Sequence, residues 1–564
     1  MVHEAHFETV AEHYLAALRS HGIERLFLNA GTDFAPLVEA YARNHDTNAA
    51  PFPAPILATH ENLAIGMAHG AYLLTGRPQA LMVHVSVGTA NTICGLMNAA
   101  RDRIPILLTA GRSPLFESDA LGARDMRIHW GQEMFDQAGI VRELVKWDYE
   151  LRDARHVDAV VHRAITIAAT EPKGPIYLTL PREVLASPAH RTGTQGASQP
   201  GTTGSAPNEA AVAQLADRIA AARMPVVVAT ASGADPATVA QLVHLCERHG
   251  IGYAEEAARY LNFPAGHPLH LGYRLAPVFD EADVLCFIEC DVPWIPAEKA
   301  PRDDAFVAHV GVDPAFSRNP MRSHRADLSI TSTAIAFISA LDAALAARTA
   351  RVDTDRRQRV VQLARQLRGA AAGASTTADG PITREAVAAA LNQLVDADTV
   401  VFNEYWAPPA QLARTKPQTY FYLSSAGGLG WALPAALGAQ LVAPERTIVA
   451  LIGDGAYIFA NPAACHHAAA RYELPVLTII YNNARWGAVD LATQLVYPHG
   501  QWREQRGPSL SDLAPIPALE RYVEASGGYG ERVAERAGLL PALQRALHVV
   551  RVERRQAVVN VIGS

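Results

Sequence analysis

Apolar residues along this chain come in short unbroken runs and not in alternation with polar ones. ERLFLNAG, APILATH, PQALMVHVS, IPILLTAG and GPIYLTLP lie in the first third; MPVVVATAS, VLCFIEC and AFVAHVGVD lie in the middle. TVVFNEY, TIVALIGDG, PVLTIIYNN and QAVVNVIGS follow in the last third. Runs of this length, rich in β-branched residues, predict strands buried on both faces, which is the pattern of parallel sheets. Helical spacing fills the stretches between them. Residues 190–210, rich in Gly, Ser, Thr and Pro, and residues 368–384 lack apolar periodicity and read as linkers. They set three expected blocks, 1–190, 205–350 and 380–564. The predicted fold class is α/β, with three doubly wound parallel-sheet domains and ligand sites at the carboxyl ends of strands.

One stretch carries chemistry. TIVALIGD predicts a strand, with Gly453-Asp454-Gly455 as its exit turn, and ANPAACHHAAARYE predicts a helix with Asn461 as N-cap and Pro462 next to it. PVLTIIYNN predicts the following strand. A β-α-β unit of this length is a right-handed crossover between parallel strands. The 26 residues between Gly455 and Asn482 return the chain to the same sheet edge, so Asp454 and Asn483 are expected close together. One carboxylate, one amide oxygen and free backbone carbonyls are hard ligands that suit Mg2+ bound together with phosphates. Glycine allows close backbone approach to such an anion.

These residues resemble the signature of thiamine diphosphate-dependent enzymes, and the three-block order is similar to theirs over nearly the whole chain. The branch it resembles is that of acetolactate synthase and benzoylformate decarboxylase. The resemblance implies pyrimidine-binding, central and diphosphate-binding domains in that order. It implies thiamine diphosphate and Mg2+ as cofactors, with Asp454, Asn483 and the Arg485 carbonyl as metal ligands. Gly453, Gly455, Ala456, Trp486 and Gly487 fall in the same cofactor-binding segments. By the same resemblance Glu61, in APILATHENLAIGMAHG, would bond the aminopyrimidine and drive its proton exchange. In YFYLSSAGGLGWALP, Leu429 would lie under the cofactor, and Ser424, Ser425, Gly427 and Gly428 would contact the pyrimidine. The family builds its site between subunits, so a homodimer or homotetramer is expected.

Substrate-facing candidates rest on the same likeness. Thr32, in FLNAGTDF, matches a carboxylate-contacting serine of benzoylformate decarboxylase, with Ala30 where the family usually has proline. His84, in MVHVSVGTANT, matches its catalytic histidine. Gln132, in IHWGQEMF, resembles the QE of acetolactate synthase. A second histidine that benzoylformate decarboxylase takes from its middle domain has no evident counterpart; FIECDVPWIPAEKAP has Trp294 near that place. The expected activity is therefore acetolactate synthase-like carboligation or lyase chemistry on a 2-keto acid. The alternatives are a 2-hydroxyacyl-CoA lyase and a benzoylformate decarboxylase-like 2-keto acid decarboxylase. Related enzymes hold FAD or the ADP portion of CoA in the middle domain, and the arginines of RNPMRSHRAD are candidates for that role. The segment after Trp486, through residue 520, is expected to form a lid.

Composition narrows the partners. The 564 residues carry a formal charge of −7, which gives no electrostatic reason for nucleic acid or anionic membrane. Five cysteines without CxxC spacing argue against a disulfide framework or zinc site and fit a cytoplasmic compartment. No membrane-spanning run or signal peptide is expected.

Overall fold

The computed structural model describes residues 7–44, 51–190, 204–348, 354–372, 380–504 and 509–563. Three sheets organise them. The first contains β1 (Arg25–Leu28), β2 (Ala54–Leu57), β3 (Gln79–Val83), β4 (Ile106–Arg112), β5 (Asp148–Glu150) and β6 (Ile176–Pro181). Its order is β2-β1-β3-β4-β6-β5, all parallel. The second contains β7 (Pro225–Ala229), β8 (Gly252–Ala254), β9 (Val284–Ile288), β10 (Phe306–Gly311) and β11 (Leu328–Thr331). Its order is β11-β10-β9-β7-β8, again all parallel. The third contains β12 (Val400–Asn403), β13 (Tyr420–Tyr422), β14 (Ile448–Gly453), β15 (Val476–Asn482), β16 (Tyr529–Val533) and β17 (Ala557–Ile562). Its order is β13-β12-β14-β15-β17-β16.

The apolar runs occupy the sheet interiors. Ile448 to Ile452 on β14 and Leu477, Ile479 and Ile480 on β15 are fully buried. Each such side chain contributes about 1.5–3 kcal/mol on leaving water. By its contacts the chain divides into two compact units. One lies within Met1–Thr202, Leu423–Arg532 and Arg545–Val561; the other within Thr203–Tyr422, Val533–Gln544 and Ile562–Ser564.

Inside the first unit, the helix Glu61–Thr75 packs against the helix Ala432–Val442 backbone to backbone. A methyl group on Gly70 would sit 1.8 Å from the Ala435 carbonyl oxygen, and one on Gly438 would sit 1.9 Å from that of Met67. Only glycine permits this approach.

One expectation needs correction. The helix Thr354–Ala372 runs into the stretch 368–384 that reads as linker. Arg368 is anchored there by bonds to the carbonyls of Ala364, Gly266 and His267, which periodicity does not reveal. Residues 373–379 and most of the first linker lie outside the described residues. Within the segment expected to form a lid, Gly487–Val496 is a helix. No helix among the described residues is long and apolar enough to cross a membrane.

Candidate active site

The first cluster forms where the first sheet reverses direction. From β1 the chain moves outward to β2, then returns to β3 on the other side of β1. Loops leaving the carboxyl ends of β1 and β3 therefore diverge from a common crevice, where α/β folds place ligands. The loop after β1 carries Thr32 and Asp33; His84 follows β3 directly and caps the helix Val85–Asn91. The His84 Nδ1 lies 2.5 Å from Asp33 Oδ1, and its Nε2 lies 3.2 Å from the Gln132 side-chain nitrogen. These partners set the tautomer: Nδ1–H donates to the carboxylate, and Nε2 accepts from the amide.

Two glycines clear space for this pair. A methyl group on Gly31 would fall 2.2 Å from the His84 ring, and one on Gly111 would fall 1.8 Å from Asp33 Oδ2. The next residue, Val85, has φ of 30°, a left-handed conformation that a β-branched residue adopts only under constraint. Thr32, Ser113, His129 and Arg182 line the same pocket. The Arg182 guanidinium is held by the carbonyls of Gly122, Ala123 and Thr32. His129 is buried; burial first, and then the Arg182 cation, push its imidazole below the usual histidine value. Asp33 Oδ2, Ser113 Oγ and Gln132 Oε1 are buried without a partner. Buried polar atoms are normally satisfied, so three orphans around one pocket single it out as polar, although the pocket as it stands has no room for a water.

Glu61 stands beside this cluster. It is the first residue of its helix, and its Oε2 accepts from Asn91 Nδ2 at 3.1 Å. Oε1 faces Gly88, where a methyl group would come within 3.3 Å.

The second cluster is the expected crossover. β14 and β15 pair in parallel, with Gly453 opposite Tyr481, so Asp454 and the loop after Asn482 leave the same edge. Asp454 begins a short helix, Asp454–Phe459, where the sequence suggested only an exit turn. Its Oδ1 accepts from the Gly455 N–H at 2.8 Å, while Oδ2 is buried with no partner. Burial pushes this carboxyl above the usual carboxylate range, against the pull of backbone N–H groups from Gly455, Ala484 and Arg485. Gly455 has no room for a side chain, because a methyl group there would lie 2.4 Å from the Trp486 ring. Gly453 faces open space.

Asn483 Oδ1 accepts from the Arg485 N–H, and the Arg485 carbonyl accepts from the Gly487 N–H; each oxygen keeps a second lone pair. An orphaned buried carboxylate oxygen after β14, with an amide oxygen and a carbonyl on the loop that leaves the same edge after β15, is a donor set of the kind that Mg2+ takes. No group of three or more His, Cys, Asp or Glu suited to a metal occurs among the described residues.

The third cluster is the loop Ser424–Gly430. Gly427 and Gly430 take φ of 66° and 77°. Asn98 clamps the loop, donating to the Gly428 carbonyl at 2.8 Å and accepting its N–H at 3.0 Å. Ser424 is buried with its hydroxyl on the Ala426 N–H; Ser425 is exposed and Leu429 half-buried. No hydrogen bond or ion pair among the described residues joins Glu61 to Asp454 within one chain.

Comparison with known families decides what these clusters belong to. Residues 8–140 match the model of the thiamine pyrophosphate enzyme N-terminal TPP binding domain, and residues 403–561 match that of the C-terminal TPP binding domain. The chain belongs to the thiamine pyrophosphate enzymes. Among relatives, benzoylformate decarboxylase of Pseudomonas aeruginosa is 27% identical over 97% of this chain and 96% of its own. Acetolactate synthase isozyme 3 large subunit of Escherichia coli is 25% identical over 98% of this chain and 95% of its own. A solved benzoylformate decarboxylase from Polynucleobacter necessarius shares the fold, with a TM-score of 0.80 at 19% identity over 99% of both chains. The thiamine pyrophosphate enzyme described here thus sits in the branch that contains both decarboxylases and acetolactate synthases.

Sequence reasoning missed Asp33, Ser113, His129 and Arg182 in the first cluster, and Asn91 beside Glu61. Asp33 had a signal, a carboxylate directly after the Gly31-Thr32 turn. His129 and Arg182 had none, because they reach the pocket only through the tertiary fold.

Proposed function

We propose that this protein releases CO2 from a small 2-keto acid, using thiamine diphosphate and Mg2+, in a site completed by a second copy of the chain. The carrying observation is the Asp33–His84–Gln132 arrangement in a pocket that also holds His129 and the Arg182 cation. Thiamine diphosphate, when bound, supplies a carbon nucleophile for the substrate carbonyl and an electron sink for C–C cleavage.

The residues of this chain supply the rest. Asp454, Asn483 and the Arg485 carbonyl would hold the metal, and Gly453, Gly455, Ala456, Trp486 and Gly487 would frame the diphosphate. Glu61 Oε1, with Oε2 taken by Asn91, is left to share a proton with the pyrimidine ring. Ser424, Ser425, Gly427, Gly428 and Leu429 would support that ring. Thr32 lines the pocket, and Arg182, whose N–H groups are taken by backbone carbonyls and which also pairs with Asp125, favours an anion there by its charge and not by a free donor. His84 Nε2 holds or gives a proton, and the Gln132 amide serves both states by turning its nitrogen or its oxygen toward the ring.

The middle block offered no evident counterpart of the decarboxylase's second active-site histidine, which counted against a decarboxylase. His129 provides one within the same pocket, so aldehyde release becomes the leading outcome. Acetolactate synthase-like carboligation is the second reading, favoured by Gln132-Glu133 and by the acetolactate synthases among the relatives. A nucleotide in the central domain is less favoured. Arg322 is committed to the carbonyls of Cys290 and Asp291, and Arg325 to those of Arg302, Asp303 and Ala305. A cytoplasmic homodimer or homotetramer is the assembly proposed, in keeping with a family that builds its site between subunits. It also fits the helix Gly487–Val496, which buries no residue and leaves Leu495 72% exposed.

The test is to incubate the holoenzyme with pyruvate, benzoylformate and a 2-hydroxyacyl-CoA, reading CO2, aldehyde, acetolactate and formyl-CoA. CO2 with aldehyde from a 2-keto acid supports the reading. CO2 with acetolactate transfers it to the carboligase. Formyl-CoA without CO2 overturns both.

A further inference from the structure

We infer that Asn482, the first asparagine of the tandem pair, together with Asn560 and Glu520, holds the metal loop in shape. None of the three is one of the proposed ligands. The inference rests on the reading of Asp454, Asn483 and Arg485 as ligands and adds what positions them.

Ala484 has φ of 52°, in the left-handed region that residues other than glycine avoid. Ala484 lies two residues past the end of β15 and between Asn483 and Arg485, so its conformation decides how those two residues are set relative to each other. The Asn482 Oδ1 accepts the Ala484 N–H at 3.1 Å, an Asx-type bond that stabilises this conformation. Asn482 cannot swing away, because its Nδ2 donates to Asn560 Oδ1 at 3.1 Å across to β17. Asn560 in turn donates to Glu520 Oε2 at 2.7 Å. All three side chains are buried, where a satisfied chain of hydrogen bonds is rigid and a broken one is costly.

The loop is also tied from the other side. The Leu513 N–H donates to the Ala484 carbonyl, and the Trp486 N–H donates to that of Ser511. Those bonds locate the loop, and the asparagine chain fixes its one strained residue. Tandem asparagines thus divide the work, with Asn483 facing the metal and Asn482 holding the turn that aims it.

Outer-shell partners of metal ligands typically change metal affinity by about 10–100-fold. The experiment is a calorimetric titration of Mg2+ into full-length protein with saturating thiamine diphosphate, with apo melting temperatures measured in parallel. Asn482→Ala and Asn560→Ala should raise the Mg2+ midpoint by about tenfold or more. Ala484→Gly should leave it unchanged, and Ala484→Gly combined with Asn482→Ala should restore it, because glycine takes the left-handed turn unaided. Glu520→Ala gives an independent reading at the far end of the chain of bonds if Asn482→Ala fails to fold. Unchanged midpoints in Asn482→Ala, Asn560→Ala or Glu520→Ala overturn the inference, as does a double variant no better than Asn482→Ala. If wild type binds neither Mg2+ nor cofactor, the ligand reading itself falls.

Discussion

Replacing Asp33 by Asn isolates the contribution of one carboxylate to His84. The side chains have nearly the same shape, so the loop after β1 and the Gly31 and Gly111 contacts stay in place. What is lost is the negative charge 2.5 Å from Nδ1. An amide can present its oxygen to Nδ1–H or its nitrogen to a bare Nδ1, so the ring no longer has one enforced tautomer. A positioned general acid–base group contributes about 10²–10⁴ in rate, or about 2.7–5.4 kcal/mol of barrier. If His84 moves the proton that completes turnover, Asp33→Asn forfeits up to that amount in kcat. The KM for the 2-keto acid should change much less, because Thr32 and Arg182 still face the substrate. Stability should hold or rise, since Asp33 Oδ2 has no partner to lose. The assay is steady-state CO2 release over pH 5–9 with a thermal melt of the same preparation. A kcat within about threefold of wild type refutes the role of Asp33 and weakens that of His84.

Two further outcomes test the scaffold. Burial holds the His466 imidazole down at about 4, between Tyr457 and Gln556. Unfolded histidine titrates near ~6.5, so His466 favours folding fully above that value. The contribution is lost as pH falls toward about 4. Urea midpoints should decline across that window, and His466→Gln should flatten the decline; parallel curves would contradict it. Gly70→Ala forces a methyl group 1.8 Å from the Ala435 carbonyl oxygen, so the two helices must separate. Overpacking costs about 1–3 kcal/mol, and an unchanged denaturation midpoint would show that the approach is not required.

The sequence was read correctly where burial on both faces leaves an unbroken apolar run. All twelve runs became strands. The five strands it missed, β5, β8, β11, β13 and β16, all lie at sheet edges. These edge strands are only three to five residues long, too short for such a run; β5, β11 and β16 are also mostly unburied, whereas GYA on β8 is buried throughout. The Asp454–Asn483 relation was legible because a crossover length is local information. The Asp33–His84 contact was not, since it depends on β3 returning to the other side of β1. The helix Gly487–Val496 was legible in principle, since Ala488, Leu491, Ala492, Leu495 and Val496 fall on one face at helical spacing, a face that is not buried within one chain.

The central claim is that Asp454 anchors Mg2+ and thiamine diphosphate. Burial raises its carboxyl above the usual carboxylate range. Calorimetric titration of thiamine diphosphate, with and without Mg2+, into wild type and Asp454→Asn is the direct test. The account predicts Mg2+-dependent binding in wild type, its loss in Asp454→Asn, and an apo variant at least as stable as wild type near pH 7. Equal cofactor affinity in the two proteins, or binding indifferent to Mg2+, would contradict it.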